Sequence, residues 1–317
     1  MPSPRFALPR AAAGSAHAKG ILIGEHSAVY GHPAIALPLT PLRTVAEVRP
    51  AAGPLLLSTD GRSLPVDLLP ERFVSVGVAA TAALDFFGLP ARDLEITVHS
   101  DIPPRAGLGA SAAAANAIIE AVRAYAGMPL DEDTRFALVQ TAERVAHGNP
   151  SGIDAYATRA DGPFLFTDGR RTPLAVGAPA WLVVADTGVR ASTGEAVAGV
   201  RRAIDADPAR GEELLAGLGD LTRGVVRDLE LGRLAAVGTA LTSAQESLSA
   251  LDVGHPAVDL LVGAATDAGA VGAKLTGAGR GGCVIALATG AAQAQAVLGA
   301  MTAAGAVAGW VVTVDPA

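Results

Sequence analysis

Two rhythms of apolar positions alternate along the chain: short runs suited to strands and longer stretches at helical spacing. Ile21 to Ile23 and Ala34 to Leu37 are strand-like runs on either side of a polar turn, Gly24-Glu25-His26. Arg43 to Arg49 extends the same sheet, and two short apolar runs between Leu55 and Asp67 flank Thr59-Asp60-Gly61, a hairpin signal. From Glu71 to Phe87 the spacing predicts a helix, stopped by Gly88 and Pro90. Leu94 to Ser100 alternates like a half-buried strand and runs straight into IPPRAGLGASAAAANAIIE, Ile102 to Glu120. That segment opens on a proline pair, passes a Gly-Leu-Gly turn and continues as an alanine-rich helix.

Asp133 to Ala146 predicts a further helix, broken by His147 to Gly152. A change of composition between Pro173 and Pro179 marks a domain boundary, giving domains of residues 1–174 and 175–317. Beyond it come a strand (Trp181 to Ala185), a helix from Ser192-Thr193, and helices over Pro208 to Leu229, Arg233 to Ser249 and His255 to Ala268. A second glycine-rich loop, Gly277 to Gly282, precedes a strand (Cys283 to Ala288), a helix (Ala291 to Ala303) and a strand (Val307 to Val314). Gly281 to Val314 carries no charge, but Thr289-Gly290, two glutamines and Gly305 interrupt it, so no transmembrane span is expected. Strands alternating with helices in this way predict an α+β architecture.

Length and composition narrow the classes. The 317 residues suffice for two cores, and 50% hydrophobic against 17% charged residues excludes a disordered chain. A net charge of −7 argues against a nucleic-acid surface. The single cysteine, Cys283, excludes an internal disulfide and fits a reducing cytoplasm. Residues 1–14 hold arginines and alanines but no continuous apolar core of signal-peptide length.

The candidate chemistry starts at the first glycine loop. Gly107 and Gly109 permit backbone angles closed to other residues, so the loop can curl and present its N–H groups. The helix start behind it offers unpartnered N–H groups and partial positive charge, a ready site for phosphate. Two readings stay open: a phosphate cradle with the Ser111 hydroxyl within reach of a metal ion, or a tight turn capped by Ser111 before a buried helix. No lysine follows Gly109 as the common nucleotide loop requires, so a phosphate-binding lysine must come from elsewhere. Lys19 is the candidate and the only cation around the first strand run, with Glu25 and His26 at that run's far end. The alternative makes Lys19 a solvated strand-edge residue and His26 an ordinary turn residue. Glu143 falls in the last turn of its helix, where the dipole disfavours a carboxylate. Either a cation such as Mg²⁺ holds it there, or it is simply solvated. Asp154, after the glycine-containing break, reads as a functional carboxylate or a plain turn residue. The second loop matches G-x-G-x-x-G through Gly277, Gly279 and Gly282, but it leads into a strand with no acidic residue at the required distance. It is expected to be a hinge-like loop facing the first. The six histidines show no zinc spacing.

Taken in order, AKGILIGEHSAVYG, PPRAGLGASAA and KLTGAGRGGC resemble the three motifs of the galactokinase, homoserine kinase, mevalonate kinase and phosphomevalonate kinase (GHMP) superfamily, across nearly the whole chain. Within it, GEHSAVYGHPAIALPL and ERVAHGNPSGIDA are similar to the mevalonate kinases. The Asp-Tyr pair of galactokinases and the Tyr-Trp-Gly-Lys segment of diphosphomevalonate decarboxylases are absent. The resemblance implies an α+β, two-domain GHMP-kinase fold, with a ribosomal-protein-type N-terminal domain, a ferredoxin-like C-terminal domain and the active site between them. It implies ATP-dependent phosphorylation of (R)-mevalonate to 5-phosphomevalonate with ATP and Mg²⁺ as cofactors, a cytoplasmic location, and neither nucleic acid nor membrane as partner; a homodimer is compatible with it. Asp154 then matches the general base and Lys19 the lysine that contacts this base and the transferring phosphate. Ser111 and Glu143 match Mg²⁺ ligands. Ser100, Arg105, Ala106, Gly107, Leu108, Gly109, Ala110 and Ser111 match the nucleotide-binding segment. Glu25, His26, Thr193 and Ala278 match positions lining the mevalonate pocket. Three positions depart from the motifs: Ala18 for a glycine, Ala110 for the first serine of Gly-Leu-Gly-Ser-Ser, and Arg280 for a glycine. Arg280 points either to the surface or to a phosphate. The alternatives are a phosphomevalonate kinase, for which Arg190 and Arg280 would have to supply extra positive charge, and a non-catalytic metabolite sensor on the same fold.

Overall fold

The computed structural model describes residues 11–59, 61–190 and 192–316. Strands β1 (Ala12–Ile23), β2 (Ala34–Pro54), β3 (Leu56–Thr59) and β4 (Arg62–Pro65) come first, then helix α1 (Val74–Phe86) and strand β5 (Arg92–Ser100). Helices α2 (Ala110–Ala126), α3 (Glu132–His147) and α4 (Ile153–Ala157) follow, then strands β6 (Phe164–Thr167), β7 (Arg170–Pro173) and β8 (Ala180–Asp186). The remainder is α5 (Thr193–Ala206), α6 (Pro208–Glu230), α7 (Leu234–Ala250), α8 (Pro256–Asp267), β9 (Gly272–Thr276), β10 (Cys283–Ala288), α9 (Ala291–Ala303) and β11 (Ala308–Val314). Asp60, at the tip of the expected hairpin, and residues 1–10, most of the stretch read as having no apolar core of signal-peptide length, lie outside the described residues.

These elements follow the expected order, but β1 starts earlier, at Ala12, and the runs from Ala34 and Arg43 form one strand. The short helix α4 stands where a turn was one of the two readings, and two further differences have a local cause. The helix expected from Glu71 starts at Val74, because Glu71–Phe73 winds as a tighter 3-10 turn. The β6–β7 hairpin was not anticipated, although Asp168-Gly169, both at positive φ (52° and 74°), is a recognised two-residue hairpin turn.

Two compact units are present. The first comprises, of the described residues, 11–18, Leu42–Ile102 and Ala110–Arg159. There the distal half of β2 pairs antiparallel with β5, Thr44 opposite Ser100 and Ala46 opposite Val98. Strand β5 also pairs parallel with β3, which closes on β4. Leu42, Thr44, Ala46 and Val48 are buried while the residues between them are exposed, as a sheet packed on one face requires. Helices α1, α2 and α3 pack on one another, and α2 also contacts β5. The small side chains of α2 allow close approach: Ala112 to Ile119 are all buried, and a Cβ on Gly14 would run into the backbone at Ala117 and Ala121.

The second unit holds Lys19–Pro41, Pro103–Gly109 and the chain from Ala160 onward. Its antiparallel sheet has the order β11-β8-β10-β9, with Ile285 of β10 opposite Val184 and Lys274. Helices α7, α8 and α9 pack on this sheet, and α6 pairs with α7. The near half of β2 pairs with β6, Ala34 opposite Phe166. The uncharged C-terminal stretch is the expected strand, helix and strand. Among the described residues no helix is long and apolar enough to cross a membrane.

Candidate active site

In the first unit, Ser111 is the second residue of α2 and so lies inside the helix rather than at its cap. Its Oγ is 3.3 Å from Nε2 of His147, the last residue of α3. Glu143, one turn earlier on α3, is only 2% exposed, which overturns its reading as a solvated side chain. Its Oε2 lies 3.8 Å from the same His147 nitrogen. A hydroxyl and a carboxylate from two helices therefore converge on one point. His147 was missing from the sequence-based candidates; its spacing of four from Glu143, which puts both on one helix face, was the available signal. Among the described residues no group of three or more His, Cys, Asp and Glu side chains converges in the manner of a self-sufficient metal centre.

Asp154 is not a turn residue: it stands in the first turn of α4, half-buried. Gly152 before it has φ 90°, and a Cβ there would lie 2.9 Å from the Phe136 ring, so the entry into α4 demands glycine. Ser100 at the end of β5 uses its hydroxyl locally. Its Oγ is 2.7 Å from Thr44 Oγ1 and accepts the Ile102 N–H at 3.3 Å.

In the second unit the two glycine loops meet backbone to backbone, as expected. Gly107 (φ 81°) and Gly109 (φ 74°) take left-handed angles, as does the exposed Arg105 (φ 56°). A Cβ on Gly277 would stand 2.9 Å from the Gly107 carbonyl, and one on Gly282 would stand 3.0 Å from that of Ala106. Gly277 and Gly282 thus serve close approach to the first loop and Gly279 close approach to the Val253 carbonyl, which explains why the dinucleotide pattern matched without its context. Leu108 accepts the Lys19 N–H at 3.0 Å, tying β1 to the first loop. Lys19 itself is 5% exposed, so the solvated strand-edge reading fails.

The turn after β1 is equally closed. Glu25 and His26 are buried, and His26 holds φ 62°. His26 Nε2 is 2.9 Å from the Ala278 carbonyl; since a carbonyl only accepts, that nitrogen carries the proton. Burial pushes the His26 pKa down, with the Lys274 charge adding to that and the Ala278 bond opposing it. Lys274 on β9 is fully buried and donates to Glu25 Oε1 and, at 2.5 Å, to the Leu275 carbonyl. Burial raises the Glu25 carboxyl and lowers the Lys274 ammonium, and each is pulled back by the other's charge. Glu25 Oε2 is buried with no hydrogen-bond partner. Lys19 is therefore not the only cation that matters at the first motif. Lys274 was quoted within the third motif without a role, and its place in an apolar strand was the overlooked signal.

Thr193 opens α5 and is exposed. Arg190 forms a two-pronged pair with buried Asp186, both bonds at 2.7 Å. Arg280 donates to the Asp252 carbonyl at 3.0 Å and to its carboxylate. Both arginines that could have held an extra phosphate are engaged by aspartates of the chain itself.

An α+β chain with a glycine turn leading into a helix start, and a second glycine loop stacked on that turn, has the architecture of a small-molecule kinase. The chain belongs to the GHMP kinase family. The GHMP kinases N terminal domain matches residues 75–162 and the GHMP kinases C terminal domain residues 225–307. The chain is 33% identical over 294 residues to a mevalonate kinase of Aeropyrum pernix, covering 88% of this chain and 89% of the relative. The crystal structure of L. major mevalonate kinase in complex with R-mevalonate superposes with a TM-score of 0.84 at 25% identity, over 100% of this chain and 99% of that one. Streptococcus pneumoniae phosphomevalonate kinase, in complex with phosphomevalonate and AMPPNP, superposes with a TM-score of 0.81 over 95% of this chain and 99% of that one. At 17% identity that likeness speaks for the fold alone. The chain is thus a kinase, and its two-domain GHMP fold is the one its motifs imply.

Proposed function

We propose that the chain phosphorylates the primary hydroxyl of (R)-mevalonate with ATP, giving 5-phosphomevalonate and ADP. The observation that carries this is the chemistry around Glu25. Its Oε2 is buried with no hydrogen-bond partner and has the capacity to accept from a hydroxyl, while the Lys274 charge is already used on Oε1. A phosphorylated acceptor would need further cations, and Arg190 and Arg280 are held by Asp186 and Asp252. Identity to mevalonate kinases over most of the chain supports the same reading.

Phosphoryl transfer is mainly positioning and charge stabilisation. In this proposal Asp154 accepts the proton of the primary hydroxyl, whose oxygen bonds to the γ-phosphorus as the bond from that phosphorus to ADP breaks. Lys19 and the N–H groups of Arg105 to Ser111 offset charge on the phosphates, and Ser100 closes the strand leading to them. Glu25, His26, Thr193 and the Ala278 carbonyl line the acceptor pocket. Residues 1–174 and 175–317 are the two kinase domains.

Ser111 Oγ and Glu143 Oε2 are hard oxygen donors that both face His147 Nε2, and two protein ligands suit Mg²⁺, which keeps several waters. Both would hold Mg²⁺, which when bound neutralises phosphate charge. Ser111→Ala and Glu143→Gln should each raise the Mg²⁺ concentration for half-maximal activity by about 10- to 100-fold, the range typical even of groups that only support metal ligands. Calorimetric titration of ATP at stepped Mg²⁺ should show the same shift without turnover. An unchanged Mg²⁺ requirement in Ser111→Ala would remove Ser111 from the ligand set.

The substrate is tested by comparing kcat/KM for mevalonate, phosphomevalonate, homoserine and galactose at fixed ATP and Mg²⁺. Mevalonate should be preferred. A preference for phosphomevalonate would overturn the argument from Glu25, and ATP binding with no ATP consumption in the presence of any acceptor would point to a non-catalytic sensor.

A further inference from the structure

Helix α4, which carries Asp154, is five residues long, and its N-cap glycine supplies no side-chain bond. A helix of this length cannot hold itself in water, because nucleation costs more than a single turn returns. Its orientation must therefore come from tertiary contacts, and the most specific of these begins on α2. Asn116 is fully buried there, five positions after Ser111, or about 7.5 Å along the helix axis. Its Nδ2 donates to the Ala155 carbonyl at 3.0 Å and to Thr158 Oγ1 at 2.9 Å. The Ala155 oxygen can only accept, so the amide orientation is unambiguous. Thr158 Oγ1 in turn donates to the Asp154 carbonyl at 2.9 Å, and the Thr158 N–H reaches the same oxygen at 3.2 Å. The far side of Thr158 is fixed as well, its carbonyl accepting the His17 N–H at 3.0 Å. Asp154's own backbone is thus gripped by Thr158, and Thr158 is gripped by Asn116.

Asn116 is a costly choice for an alanine-rich, fully buried helix. Its Oδ1 is buried with no hydrogen-bond partner, and an unsatisfied buried acceptor destabilises. We infer that Asn116 and Thr158 are positioning residues, which lock α4 onto α2 and so set Asp154 at a fixed place relative to Ser111. The inference rests on the reading of Asp154 as the base.

The test compares Thr158→Val, Asn116→Leu, the double variant and Thr158→Ser with the parent and with Asp154→Asn. For each, kcat per folded molecule, KM for ATP and melting temperature are measured. Thr158→Val and Asn116→Leu should lower kcat about 10- to 100-fold, the scale expected of a small misplacement at a reacting centre, with KM for ATP unchanged. Thr158→Ser, which keeps the hydroxyl, should retain the parent kcat. The double variant should be no worse than the poorer single one, because the two side chains act as one unit. A merely structural pair would lower the melting temperature and leave kcat per folded molecule intact; that result in Thr158→Val, beside an inactive Asp154→Asn, would overturn the inference alone. Full turnover in Asp154→Asn would instead overturn the base assignment, and the inference with it.

Discussion

Asp154→Asn is expected to leave a folded protein that still binds ATP and to lower kcat by about 10²–10⁴-fold or more, the contribution typical of a general acid or base. The substitution is nearly isosteric, so α4 keeps its contacts: the Thr158 bonds are to the Asp154 backbone and not to its side chain. What changes is the ability to take a proton from the acceptor hydroxyl. The expected signature is therefore a collapse of kcat with little change in melting temperature or in nucleotide affinity. Stopped assays with mevalonate as acceptor, together with calorimetric titration of ATP, separate these quantities. Near-parent turnover in the folded variant would exclude Asp154 as the base.

The second large effect concerns stability. Lys274→Met is expected to destabilise the fold by about 3–5 kcal/mol, the range for breaking a buried ion pair from one side. Lys274 is fully buried and Glu25 nearly so, so removing the ammonium leaves a carboxylate out of reach of solvent, with only the weaker pull of the Lys19 charge to offset it. Burial already raises the Glu25 carboxyl, and without Lys274 the acid should become protonated. The pair Lys274→Met/Glu25→Gln, which removes both charges, should recover most of the loss, because matched apolar or neutral replacements of buried pairs are often well tolerated. Urea unfolding of the parent, the single variant and the double variant checks this. A single variant as stable as the parent would mean that the buried pair contributes nothing. The double variant should also bind mevalonate more weakly than the parent, because an amide is a poorer acceptor than the Glu25 carboxylate.

Much of the fold was legible along the chain. The strand before the first glycine loop, the helix behind it, and the strand-helix-strand end were all carried by period and by turn residues. The β6–β7 hairpin was legible too, through Asp168-Gly169, but its strands are four residues each and too short to show a period. The α3 to α4 region was read less well. A five-residue helix gives no pattern of its own, so the residues around Asp154 left both a functional carboxylate and a plain turn residue open, and only the packing of α4 decides that it is helical.

By itself the sequence determined the order of elements, the two glycine loops and the motif set that places the chain among the GHMP kinases. These are local properties: glycine's freedom at positive φ, the 3.6 and 2.0 periods, and short runs of residue types. Only the tertiary structure decided which polar residues are buried and what they face. Glu143 and Lys19 are enclosed rather than solvated, and His147 stands between Ser111 and Glu143. Lys274 reaches Glu25 across 249 positions of sequence, and Asn116 reaches Thr158 across 42. The physical reason is that desolvation and hydrogen-bond pairing depend on distance in space, and a chain records that distance only after its helices and strands have packed.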